Sequence, residues 1–405
     1  MNVIVASFLS LYSIALWLSV LSVLTSGVYG GDLFDISIGG KAESHEIIVM
    51  GFIMQLIMVL LYLIFVRLSK VKVYFGSLKC TISSKKFGYI LLFISVAHIF
   101  FVIQTGVGRV FSNATHPLSP IFSLTNPAAV FYFYYLLSRQ SVNKLLFFIN
   151  VILFFSLQLL KGWTGFILPV FFIELYFLYE RKKNKKSFFS NRFVYIIGIP
   201  IVVFFIGGAV YKELFFVKNE IRGVAVSDIN YIDAVSKLSS RLTNFPVSLA
   251  TYIEQDKILL NNESNLNELR GFIRPIVPSG VMSDKDFRVL NNYVMTVFFS
   301  DYQSNSSVDI GFVMYYYLLF NMDAIDALIS VLLSLSLFFV FFCFIKIISE
   351  NNFNMNLLIF FVMFSFFYTV SNEMVFSRQY LMIFVHFLIL IIFGALKINK
   401  GIRHI

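Results

Sequence analysis

Twenty residues late in the chain, Leu269–Arg288 (LRGFIRPIVPSGVMSDKDFR), set Arg270, Arg274, Lys285 and Arg288 among Gly271, Pro275, Pro278 and Gly280. A guanidinium fork binds two phosphate oxygens at once, which a lysine cannot do. Pro275 disfavours helix at Arg274, and the prolines stiffen the segment, so its cations are held at low entropic cost. The chemistry that suits this pattern is capture of a phosphate-bearing, anionic substrate. The competing reading is a solvated loop whose arginines pair with Asp284 and Asp286.

Further cations fall near this segment or on the same predicted side. Arg241 follows Lys237 by four residues, so a helix there projects both from one face, towards lipid headgroups or into a substrate cleft. Arg222 comes soon after an apolar run and either reaches the same site or snorkels to the membrane surface. Lys161, in the tight turn Lys161–Gly165 (KGWTG), joins Arg109 and Arg378 as basic residues able to complete an anion site. Interfacial anchoring beside Trp163 explains Lys161 as well. Asp309, Asp284 and Glu254 are the candidates for a general base. His98, His386 and Glu174 lie within apolar runs, where an ionisable group is either functional or packed and hydrogen-bonded. There is no phosphate-binding lysine loop, no H-E-x-x-H pair and no nucleophile elbow. Cys80 and Cys343 lack metal-ligand spacing, so nothing in the sequence calls for a metal or cofactor.

The elements that position these residues are membrane spans. The 405 residues are 58% hydrophobic and 13% charged, too apolar for a soluble domain. A spanning helix needs about 20 apolar residues. The runs at 3–24, 46–66, 87–104, 121–137, 145–160, 165–180, 193–211, 324–346, 355–371 and 379–396 qualify, three of them only barely. Ile310–Phe320 is half a span: interfacial, re-entrant, or part of a mis-bounded helix. Span 3–24 has no charged leader and reads as a retained helix. Alternate connections hold 18 lysines and arginines, whereas the opposite short ones hold four, Lys41, Arg109, Lys161 and Arg378. By the positive-inside rule both termini are cytoplasmic and the long connection is outside. The net charge of +10 therefore records topology, and no nucleic-acid partner is implied.

The expected fold is all-α, with about ten (ten to twelve) transmembrane helices: an N-terminal bundle over 1–211, a large external loop over 212–308, and C-terminal helices over 309–405. The loop is nearly neutral, with ten basic and eleven acidic residues. Tyr231, Val235, Leu238 and Leu242 recur at helical spacing behind a cap at Ser227 or Asp228. Pro246 suits the first turn of a second helix running towards Leu260.

This layout resembles the bacterial O-antigen polymerases of the Wzy type. The resemblance in motif rests on Phe272–Lys285, with Arg274-Pro275, Pro278 and Asp284-Lys285, and on Asp309-Ile310-Gly311 before the next apolar run. An arginine and a glycine with ten residues between them, found in some members, are absent, since Val281 stands where the glycine would follow Arg270. The resemblance implies an inner-membrane glycosyltransferase that moves a growing undecaprenyl-diphosphate-linked glycan onto a new lipid-linked repeat at the periplasmic face. Arg270, Arg274 and Lys285 would stabilise the departing diphosphate with Asp309 nearby, while Arg222, Arg241, Arg288, Lys161, Arg109 and Arg378 would bind substrate. It also implies a membrane partner that regulates chain length. Two rivals remain: an O-antigen ligase, expected to keep a histidine in its long loop, where this one has none; and a lipid-linked oligosaccharide flippase, expected to show related halves and short loops.

Overall fold

The computed structural model describes residues 3–30, 33, 36–72, 78–109, 114, 116–139, 143–163, 165–182, 191–222, 230–260, 290, 294, 297–298, 309–348, 356 and 373–400. Long apolar helices dominate it. In the first half α1 (Val3–Ser26), α2 (Ser44–Lys70) and α3 (Ser84–Thr105) are followed by a broken span. That span consists of α4 (Ser119–Leu124), a 3-10 turn (Pro127–Ala129) and α5 (Phe131–Ser138). Then come α6 (Lys144–Leu160), α7 (Ile167–Lys182), and a π turn (Val194–Gly198) running into α8 (Ile199–Arg222). Short helices α9 (Tyr231–Thr243), α10 (Phe245–Ile253) and α11 (Gln255–Leu260) lead on to α12 (Phe312–Met322), α13 (Ala324–Ile348) and α14 (Glu373–Ile392). Five helices among the described residues are long and apolar enough to cross a bilayer, and three more are shorter and apolar. The chain is a helical, multi-pass membrane protein. The expected span at 355–371 lies outside the described residues except for Asn356.

Local chemistry sets the boundaries. At the start of α2 the Glu43 and Glu46 side chains satisfy each other's backbone N–H groups, and Arg67 and Lys70 close its last turn. Asn126 and Pro127 split the span expected at 121–137, because Pro127 offers no N–H and Asn126 caps the following 3-10 turn.

The basic connections gather at one end of the bundle. There β1 (Leu78–Ile82) pairs antiparallel with β2 (Leu396–Lys400), a small sheet that the all-α expectation did not contain. Lys346 donates to the Ser69 carbonyl at 2.5 Å, joining the last turns of α13 and α2. Lys86 reaches the Gly394 carbonyl. The opposite, far end carries the connections α1–α2, α3–α4 and α6–α7.

Helices α9 and α10, within the long connection, pack into the bundle. Ser22 and Ser19 of α1 bond Ser236 and Ser240 of α9 at 2.6 and 3.3 Å, so α9 runs antiparallel to α1 and descends from the far end. Gly208 makes room for it on α8: a Cβ there would lie 2.4 Å from Val235 Cγ2, while the Tyr231 hydroxyl donates to the Phe205 carbonyl at 2.7 Å. Asn244, at φ 52, reverses the chain, and α10 climbs back with Phe245–Thr251 buried on every side. A helix apolar all round belongs inside a bundle. The cap of α9 is Asn230, accepting from the Asp233 N–H at 2.8 Å; the expected caps Ser227 and Asp228 lie outside the described residues. Glu254 ends α10 well short of Leu260, and α11 covers the remainder.

Ile310–Phe320 resolves in the same manner. Gly311 at φ 81 starts α12 level with the middle of α2, and Asp323 caps α13 through the Ile325 and Asp326 N–H groups. The Tyr316 hydroxyl meets Ser334 Oγ at 2.9 Å, so α12 rises antiparallel to α13 as a half-length helix.

Candidate functional site at the far end of the bundle

Arg270, Arg274, Lys285 and Arg288 lie outside the described residues, as does Asp284. Their supports are described. Before them, α10 and α11 are seated in the bundle; after them, Leu290 and Val294 are buried and α12 begins. Between these supports lies an apolar cavity of about 160 Å³, walled by Met50, Met54 and Ile57 of α2, Ser248 and Tyr252 of α10, and Met314 of α12. It is smaller than a drug-sized pocket and suits a stretch of hydrocarbon chain. Phe52, Ile53 and Leu56 of the same helix are exposed, so the wall turns an apolar face outward.

Polar contacts pin the rim. Ser248 Oγ donates to the Ile310 carbonyl at 3.0 Å, and the Tyr317 hydroxyl donates to Gln255 Oε1 at 3.0 Å. Asp309 is exposed and adjoins Ile310 and Gly311, which line the cavity. Glu254 sits at the end of α10 with its side chain only 6% exposed; Lys41 reaches its Oε1 at 2.5 Å and Lys257 its Oε2 at 2.7 Å. Burial pushes its carboxyl up, but the hydrogen bonds and charges of Lys257 and Lys41 outweigh that and hold it below the ordinary carboxylate range. Both oxygens are engaged and the charge is stabilised, which makes Glu254 a weak base and a strong tether. Tyr29, buried nearby, is pushed up to about 12 by its own burial and then by the Glu254 charge.

Arg241 and Lys237 do share α9. Arg241 is exposed, and the Lys237 ammonium lies 5.1 Å from the Phe215 ring centroid of α8. Arg222 is the last residue of α8. Glu174 is not a lone intramembrane acid. Arg139 grips it with two bonds of 2.6 and 3.0 Å, and the Tyr135 hydroxyl donates at 2.7 Å, a partnership that ties α5 to α7.

Lys161 and Arg109 converge on the other side of the far end. Lys161 is buried at 8% exposure whereas Trp163 is 53% exposed, which runs against the surface-anchor reading. A Cβ built on Gly108 would lie 3.9 Å from Lys161 Cε, so the α3–α4 turn carrying Arg109 crosses over that lysine. Arg378 lies on α14 eight residues before His386, about 12 Å along the helix. Both histidines are buried: His98 Nε2 is 3.3 Å from Thr125 Oγ1, and His386 Nδ1 is 2.8 Å from the Met382 carbonyl.

Sequence reading missed Lys41, Ser248, Gln255 and Tyr317. The signal for Lys41 was present, as one of the four basic residues on the predicted outer side. Among the described residues no group of three His, Cys, Asp or Glu side chains is placed to hold a metal. No protein-family model matches the chain, no curated protein matches it, and no solved structure matches it. Fold and site together define a multi-pass helical membrane protein whose longest connection is moored by helices set inside the bundle.

Proposed function

We propose that this protein is a surface-polysaccharide polymerase of the O-antigen type. It transfers a growing glycan from undecaprenyl diphosphate onto the terminal sugar of a fresh lipid-linked repeat, at the periplasmic face of a bacterial inner membrane. On this reading the chain crosses the membrane ten times, with the basic end cytoplasmic and the far end periplasmic. The observation that carries the reading is the cavity between α2, α10 and α12. It places an apolar recess, fit for part of a polyprenyl tail, against the supports of the one segment rich in arginine and proline.

In the proposed reaction the acceptor hydroxyl attacks the anomeric carbon of the donor glycan, the bond to the diphosphate breaks, and the acceptor proton passes to a base. Arg270, Arg274 and Lys285 neutralise the departing diphosphate. Asp309 suits the base better than Glu254, whose oxygens are taken up by two lysines. Outside the cytoplasm there is no nucleotide triphosphate, so the energy resides in the donor's own diphosphate bond. A chain-length regulator in the same membrane completes the assembly on this proposal.

Deleting the protein tests the class. Loss of a polymerase leaves lipopolysaccharide core capped with a single repeat. Bare core with long chains stranded on the carrier would indicate a ligase instead, and absence of external repeats a flippase.

A further inference from the structure

Two donor nitrogens are buried without a hydrogen-bond partner around the outer ends of α3 and α6: Arg109 Nε and Gln158 Nε2. Buried polar atoms are ordinarily paired, and each orphan costs about 1–3 kcal/mol. Both residues lie beside a buried lysine, Lys161, in the chain or across the turn. Gln158 precedes Lys161 by three residues and shares its helix face. Lys161 lies beneath the turn that carries Arg109, and it is also within electrostatic reach of His98.

The backbone here is built, not loose. Gly106 at φ 67 closes α3 and Gly108 at φ 83 continues the turn, conformations that suit glycine. The Val107 N–H donates to Thr105 Oγ1 at 3.1 Å. Gly162 at φ 77 closes α6, with the Trp163 N–H on the Gln158 carbonyl at 2.9 Å and the Gly162 N–H on the Leu159 carbonyl at 2.8 Å. This paired closure fixes where Lys161 and Gln158 point. A buried guanidinium nitrogen and a buried amide without partners, on turns that meet beside a buried lysine, are the donors that an oxyanion takes.

We infer that Arg109, Gln158 and Lys161 form a phosphate-binding site at the far end of α3 and α6. The inference stands on these contacts and does not require the polymerase reading. The phosphate is either free or carried on a lipid headgroup.

The test is equilibrium binding of radiolabelled pyrophosphate to the full chain in phosphatidylcholine nanodiscs, with Arg270 and Arg274 both changed to Ala so that the long connection contributes little. Saturable binding is expected. Lys161→Gln with Arg109→Gln should weaken it at least tenfold, Gln158→Leu several-fold, and Lys161→Arg should largely restore it. Doping the discs with phosphatidic acid separates the sources: competition shows that a lipid phosphate fits, and unchanged binding shows that only the free anion does. Absence of saturable binding, or binding unaltered in the double Gln variant of a protein with unchanged thermal stability, would overturn the site. Neither outcome bears on whether the chain polymerises glycans.

Discussion

The two sides of the far end handle charge in opposite ways. Beside the long connection, Glu254 is buried with Lys41 and Lys257 on its two oxygens, and the surrounding side chains are apolar. Beside α3 and α6, Arg109 Nε and Gln158 Nε2 are buried without a partner, next to a buried lysine. The first arrangement is a self-contained tether that fixes α10 to the α1–α2 connection. The second is incomplete until something brings oxygens to it. Buried charge therefore marks two different things in one molecule, a structural clasp and a place that awaits a ligand.

Substitutions can break this contrast, beginning with the most disruptive. Gly208→Val would drive a branched side chain into Val235, already 2.4 Å from the Cβ position, and should unseat α9 and α10 together. The expected loss is about 1–3 kcal/mol, seen as a lower Tm and as new proteolytic cleavage within residues 231–253. Stable protein with those residues still protected would show that α9 does not depend on its close fit to α8.

Glu254→Gln should come next. It leaves Lys41 and Lys257 without their carboxylate and costs about 1–3 kcal/mol. The pH dependence has a definite sign. The folded Glu254 carboxyl sits below its ordinary value, so its contribution is whole above that ordinary value and fades as pH falls through the depressed one. Tm of the native protein should hold its lead over the Gln variant from neutral pH down to 4.5 and lose it as pH falls further. A gap between the two that does not narrow would refute the clasp.

Gln158→Leu sharpens the other side. Replacing a buried amide whose Nε2 has no partner by an apolar side chain should leave Tm unchanged or raise it slightly, opposite in sign to Glu254→Gln. A marked fall would mean that Gln158 is itself part of a clasp. The smallest effect is expected from Tyr317→Phe. It deletes one exposed hydrogen bond to Gln255 and should lower Tm by the equivalent of about 0.5–1.5 kcal/mol.

The long helices were legible because a run of about 20 apolar residues has few alternatives. The amphipathic spacing of Tyr231, Val235, Leu238 and Leu242 was equally legible, and α9 is helical as read. What could not be read was where that helix goes. Phe245–Ile253 is half a span, too short to register as a membrane element, and the seat of α9 before it depends on Gly207 and Gly208 of another helix. The grip of Arg139 on Glu174 spans 35 residues of sequence, and the β1–β2 pairing joins the connection after α2 to the strand after the last helix. Likewise Lys161 and Arg109 were legible as anomalies of topology, but their convergence came from two glycine turns packed across different helices. Arg270, Arg274, Lys285 and Arg288 were read from type and spacing alone and lie outside the described residues, so their test is chemical.

The most direct measurement is reconstitution. The purified chain in nanodiscs is given an undecaprenyl-diphosphate-linked single repeat, without nucleotide, and the products are resolved by size. A ladder of lipid-linked oligomers is expected from the native protein, and none beyond the single repeat from Arg274→Ala that is folded and correctly inserted. A native protein that leaves the repeat unpolymerised would contradict the proposed activity, and an unchanged ladder from the Arg274 variant would contradict the site.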